Sequence, residues 1–179
     1  MRACADKELA LERAAQRLVG RALRRVWYVG AGTLAQAVHE VAVAVHLELD
    51  DGRRPRIATS RELATRHGHG IALAERRTLD RHAREVTTLA PWQTAPITCA
   101  RVHWRPIEDV LRGSLRTGLA IGIDHLTRCD FPQALELAFT AGSVFVAAAR
   151  LATPTSAEGM ASSLLVVAGI EELVRLGLR

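Results

Sequence analysis

Residues 45–57 read VHLELDDGRRPRI, and residues 135–147 read LELAFTAGSVFVA. In the first stretch Val45, Leu47 and Leu49 alternate with His46 and Glu48 and run into Asp50-Asp51-Gly52. In the second, Leu135, Leu137 and Phe139 alternate with Glu136 and Ala138 and run into Thr140-Ala141-Gly142. Apolar residues at every second position share one face of a strand, and a glycine at the break can supply the positive φ of a tight turn. Residues 41–60 and 133–151 are therefore expected to form antiparallel hairpins with turns at Gly52 and Gly142. Their six alternating apolar side chains should face the core.

The two stretches are offset by 90 residues at each apolar position and at the glycine, with Ala44/Ala134, Leu47/Leu137, Gly52/Gly142 and Ala58/Ala148 identical. The likeness extends outward. RVWYV at 25–29 precedes the first hairpin as RVHW at 101–104 precedes the second, and the short apolar runs GIALAE and SLLVVA follow them. Helical spacing places Leu11, Ala15, Leu18 and Ala22 opposite Arg13, Arg17, Arg21 and Arg24, over residues 6–23. In the same way Leu79, Ala83, Val86 and Ala90 oppose Arg77, Arg81 and Arg84, over 76–90. The expected fold is α+β: two similar helix-strand-hairpin-strand units, a possible internal duplication, followed by a C-terminal helix in GIEELVRLGLR. Residues 1–92 form the first unit and 93–179 the second, packed as one domain. The Pro-, Ser- and Thr-rich stretches 91–96 and 152–163 read as linkers.

A chain of 179 residues buries enough surface to fold without staples. Its three cysteines, Cys4, Cys99 and Cys129, are too few and scattered for a disulfide framework. Charged residues fill the N-terminal stretch that a signal peptide would need apolar, and no apolar run reaches the length of a membrane span. An intracellular, cytoplasmic location off the membrane is expected. The net charge of +5 is carried by arginine, with Lys7 the single lysine. Such a composition follows from a GC-rich, bacterial-type genome. It also supplies planar forks that bind phosphate bidentately.

Chemistry-bearing motifs are sparse. VWYVGAGTLAQAV runs an apolar strand into Gly30-Ala31-Gly32-Thr33-Leu34-Ala35, which fits G-x-G-x-x-A, and Asp50 lies 20 residues beyond Gly30. A nucleotide site built on Gly30, Gly32 and Asp50 would require a helix from about Thr33, whereas the alternation from Val41 to Leu49 requires a strand. Cys99-x3-His103 and His125-x3-Cys129 supply zinc-type ligands, but residues four apart on a strand lie roughly 13 Å apart. His67 and His69 in RHGHG read as a loop, and no metal or resident cofactor is expected. Asp124-His125, Glu108-Asp109 and Ser162-Ser163 carry reactive groups that the sequence gives no activating neighbour. Trp27 and Trp104 read as core. Trp92, between prolines and threonines, reads as partly exposed and as an interface anchor.

These observations favour a non-enzymatic interaction module of accessory, adaptor or immunity type, with a protein partner or a homodimer. The alternative is a nucleic-acid or polyanion binder using Arg13, Arg17, Arg21, Arg77, Arg81 and Arg84. A nucleotide-binding enzyme using residues 30–35 is the third reading.

Overall fold

The computed structural model describes residues 2–34, 37–65, 68–86, 92–105, 131–150 and 162–175. Helix α1 (Arg2–Gln16) leads into β1 (Leu23–Leu34), β2 (Val38–Leu49), β3 (Pro55–Thr65), β4 (Gly68–Glu75) and the short β5 (Ala83–Glu85). Then come β6 (Cys99–Arg105), β7 (Phe131–Phe139), β8 (Gly142–Arg150), β9 (Ser162–Ala168) and helix α2 (Ile170–Arg175). The fold is mostly β. Among the described residues, nine strands join one curled antiparallel sheet, a half-barrel, and no helix-strand repeat units are evident.

This corrects the α+β expectation of two helix-led units. The arginine-striped segment 76–90 is not helical where it is described. It leaves β4, crosses in bends and turns, and pairs as β5 with β1, Trp27 opposite Glu85 and Val29 opposite Ala83. Its 3.6-residue pattern was outweighed by a sheet edge able to satisfy its backbone, because tertiary pairing overrides a weak local preference. Ala90 lies outside the described residues. At the chain start the helix is real but shorter than expected. Gly20 takes φ 79°, and its N–H bonds Ile97 O at 2.8 Å, so the chain turns away before residue 23.

Both hairpins form as expected, and Val45, Leu47, Leu49, Leu135, Leu137 and Phe139 are all buried. Each leucine fully removed from water favours folding by about 1.5–3 kcal/mol. The two turns differ, however. In β2–β3, Val45 faces Ile57 and Leu49 N–H bonds Arg53 O, leaving a three-residue loop with Gly52 at φ 81°. In β7–β8, Phe139 faces Gly142 directly across a two-residue loop, so Gly142 is the first residue of the returning strand. The glycines match in sequence but not in position within the turn.

Strand β2 is the branch point. Its outer edge pairs with β1, while the other edge pairs with β9 over Val38–Val41 and with β3 over Ala44–His46. Two limbs, β3-β4 and β9-β8-β7-β6, diverge there and curl toward one another. They meet where β4 packs on β7. A Cβ added at Gly70 would lie 3.0 Å from Pro132 Cγ, so any larger residue would push β7 back by a few tenths of an ångström. Helix α1 lays Leu11 and Ala15 into the core, the turn after it adds Leu18, and polar contacts tie the helix to β6. Gln16 Nε2 donates to Ala100 O at 3.0 Å, and Trp104 Nε1 donates to Glu12 Oε1 at 2.6 Å.

Candidate functional site

The outer face of the β1-β2-β3 region is not left to water. His46, which alternation assigns to the polar side of β2, is fully buried there, opposite Trp27 on β1 and Arg56 on β3. The segment between β4 and β5 runs over this face and drops Asp80 onto it. Asp80 Oδ2 accepts from His46 Nε2 at 3.1 Å and from Arg56 Nε at 3.0 Å. Burial opposes ionisation of Asp80, but the hydrogen bonds from His46 and Arg56 and the charge of Arg56 outweigh it, holding the carboxyl below its ordinary pKa. His46 Nδ1 is buried with no hydrogen-bond partner.

A second polar chain crosses the core. Trp92 Nε1 donates to Tyr28 Oη at 2.6 Å, and Oη lies 2.8 Å from His39 Nδ1. An indole N–H can only donate, so the tyrosine proton is free to go to His39. Burial raises the Tyr28 pKa, and the Trp92 hydrogen bond offsets this only in part. A third cluster spans β6, β7 and β8: His103 Nε2 lies 2.7 Å from Glu136 Oε2, and Ser143 Oγ donates to Glu136 Oε1 at 3.1 Å. Here the carboxylate holds both neighbours, so the serine proton is directed at Glu136 rather than at the imidazole that would act as its base.

The residues singled out in the sequence fall out as follows. Gly30 and Gly32 lie within β1, which continues as a strand through Leu34, and β2 occupies the place of the helix a nucleotide fingerprint requires. Asp50 sits in the β2–β3 turn, at the other end of the sheet from the glycines. Trp92 is 3% exposed and part of the main core cluster, not partly exposed as expected. Cys99 and His103 both lie on β6, and no group of three metal-ligating side chains occurs among the described residues. Residues 67, 108, 109, 124, 125 and 129 lie outside the described residues, as do the side chains of His69, Ser162 and Ser163.

Arg13, Arg17, Arg21, Arg77, Arg81 and Arg84 are all exposed, but they do not form two parallel helix stripes. The fold gathers a different set at the β2–β3 turn. Asp51 lies 2.7 Å from Arg53 Nε and 3.3 Å from Arg21 Nε, Arg53 also donates to Arg17 O, and Arg76 N–H bonds Arg54 O. Arg24 bulges from β1 beside this turn, and Arg77 follows Arg76. Arg81 and Arg84 lie farther along, toward and on β5.

The other end of the sheet exposes several apolar side chains beside Glu171. Beyond Val29, where β5 stops, β1 continues through Gly30-Ala31-Gly32-Thr33-Leu34 with β2 on one side and no strand on the other among the described residues. Register shifts flank Ala31, and Gly30 takes φ 71°. Leu34 is 52% exposed, Val43 on β2 45%, and Ile170, just past the β9 end that pairs with β2, 42%. Sequence reasoning missed His46, Asp80, Tyr28 and Glu136, whose partners come from strands and loops distant in the chain.

No family model, curated protein or solved structure matches the chain. Among the described residues no helix is long and apolar enough to cross a membrane, which says nothing of spanning by strands.

Proposed function

We propose that the chain is a non-enzymatic interaction module that assembles with a second copy of itself through the free edge of β1. The observation that carries this reading is the stretch from Gly30 to Leu34: it is strand, it lacks an outer partner among the described residues, and it holds no charged residue or proline. An edge of this kind presents unpaired N–H and C=O groups; natural sheets blunt such edges with charge, proline or bulges, and this one carries bulges around Ala31 but neither charge nor proline. Two copies meeting antiparallel about a two-fold axis near Gly32 use one strand as both donor and acceptor, the self-complementary arrangement of a closed dimer. Leu34 and Val43 add apolar surface beside the seam. The arginines around the β2–β3 turn lie at the opposite end of β1, so the same axis sends the two basic ends apart.

Sedimentation velocity over a range of protein concentrations tests the proposal. The unaltered chain is expected to sediment as a concentration-dependent dimer, and Ala31→Lys combined with Leu34→Lys is expected to leave a folded monomer. Both positions are exposed, so the substitutions spare the core. A chain that stays monomeric at every concentration, or a dimer indifferent to both lysines, overturns the reading.

A further inference from the structure

We infer that the basic end of the sheet is a binding site for the phosphate backbone of duplex nucleic acid, separate from the β1 edge. Seven arginines converge there from four segments: Arg17 and Arg21 after α1, Arg24 on β1, Arg53 and Arg54 before β3, and Arg76 and Arg77 after β4. Against them stand Glu48, Asp50, Asp51 and Glu75, which leaves an excess of three positive charges. The acids have a defined task. Asp51 holds Arg21 and Arg53, Glu75 reaches Arg53 at 3.4 Å, and Glu48 holds Arg54 at 3.0 Å. The paired arginines are thereby fixed in place. The guanidinium groups of Arg17, Arg24, Arg76 and Arg77 are exposed and unpaired among the described residues.

Unpaired guanidinium groups on a rigid frame suit phosphate, which accepts two parallel N–H bonds from one planar fork. A cleft of about 280 Å³ opens beside Arg24; Glu85, 3.8 Å from Arg25 Nε, offsets that arginine's charge, and Gln93 and Thr94 add neutral hydrogen-bonding groups to the lining. The aromatic residues decide between single and double strands. Trp27, Tyr28, Trp92, Phe139 and Phe145 are buried, and the Trp104 indole is bonded to Glu12. No aromatic platform for unstacked bases is offered at this end by the described residues, and single-strand binding relies on such platforms. The ligand class that remains is a regular array of phosphates, read without base contacts.

Fluorescence anisotropy with a labelled 20-base-pair DNA duplex, titrated at several salt concentrations, tests the inference on the full chain. Binding with a dissociation constant on the order of 10⁻⁶–10⁻⁴ M at low salt is expected, with log K falling against log salt at a slope of roughly −3 to −4 for four phosphate contacts. Arg24→Glu with Arg77→Glu should weaken binding at least tenfold and flatten that slope by about 2. A charge-matched pair elsewhere, Arg84→Glu with Arg101→Glu, should change affinity less than threefold. Arg24→Gln with Arg77→Gln repeats the test without charge reversal, and circular dichroism verifies that each variant is folded. Absence of binding at low salt overturns the inference. So do equal losses in the two charge-matched pairs, which would mean diffuse attraction, and tighter binding to anionic phospholipid vesicles or to a single strand than to the duplex. The variants leave the β1 edge untouched, so sedimentation of the same proteins separates failure here from failure of the dimer.

Discussion

His46 and Asp80, thirty-four residues apart, meet at 3.1 Å on the outer face of the sheet and pin the β4–β5 segment across β2 and β3. Because His46 Nδ1 lacks a partner, Asp80 is the acceptor that holds the buried ring among the described residues. Asp80→Ala is expected to destabilise the fold by about 1–3 kcal/mol, the cost of leaving a buried donor unsatisfied. Urea denaturation measures the loss, and faster limited proteolysis between Glu75 and Ala83 reports the release of the segment.

The same carboxyl sets an acid limit. Its folded pKa lies below its ordinary value, so as pH falls the unfolded chain takes up the proton first. The contribution to stability is fully present above about pH 4 and is lost as pH drops through the lower folded value. Asp80→Asn should therefore flatten the stability profile below about pH 4 relative to the unaltered chain. An unchanged slope would assign the acid sensitivity to other carboxylates.

Trp92 and Tyr28 form a buried hydrogen-bonded pair, so each substitution is felt through the other. Trp92→Phe removes the donor to Tyr28 Oη, and Tyr28→Phe strands the indole N–H. Each should cost about 1–3 kcal/mol. The double substitution should cost less than the sum of the two, because it removes both partners of one bond. Trp92→Ala should cost more, about 3–5 kcal/mol, through the cavity it opens. An additive double mutant would show that the two residues are not coupled.

Tyr28 is the single tyrosine of the chain, and burial raises its pKa. The unfolded chain ionises near its ordinary value of about 10 while the folded chain stays protonated, so stability falls as pH rises above about 10. Absorbance at 295 nm should remain flat with rising pH and then increase together with the loss of the far-ultraviolet dichroism. Tyrosinate appearing in a chain that is still folded would contradict the burial.

Gly70 marks the closure of the half-barrel against Pro132. Gly70→Ala would place Cβ 3.0 Å from Pro132 Cγ and 3.2 Å from its carbonyl oxygen. Separating β4 from β7 by that amount should cost about 1–3 kcal/mol. Gly70→Ala combined with Pro132→Ala should recover part of it, as read by thermal unfolding.

The strands were legible because period-two alternation depends only on the chain's own order. Val45, Leu47 and Leu49, with Leu135, Leu137 and Phe139, could be assigned inward before any partner was known, and all six are buried. The helical period over 76–90 was equally visible and misleading. Arg77, Arg81 and Arg84 repeat at a spacing that a turn followed by an edge strand also tolerates, and the free edge of β1 decided between them. Trp92 looked exposed because of its proline and threonine neighbours, yet the hydroxyl that receives its N–H stands 64 residues earlier.

The sequence by itself determined the two hairpins, the inward face of each, the buried face of α1 and the basic character of the chain. Each of these follows from residue order and composition within a short window. Tertiary structure alone decided that one sheet replaces two helix-led units, that His46 is buried beneath Asp80, and that arginines from four segments meet at one end while an uncharged strand edge is left at the other. Those outcomes depend on contacts between residues far apart in the chain, where local periodicity carries no information about which sheet edge a segment will reach or which face it will cover.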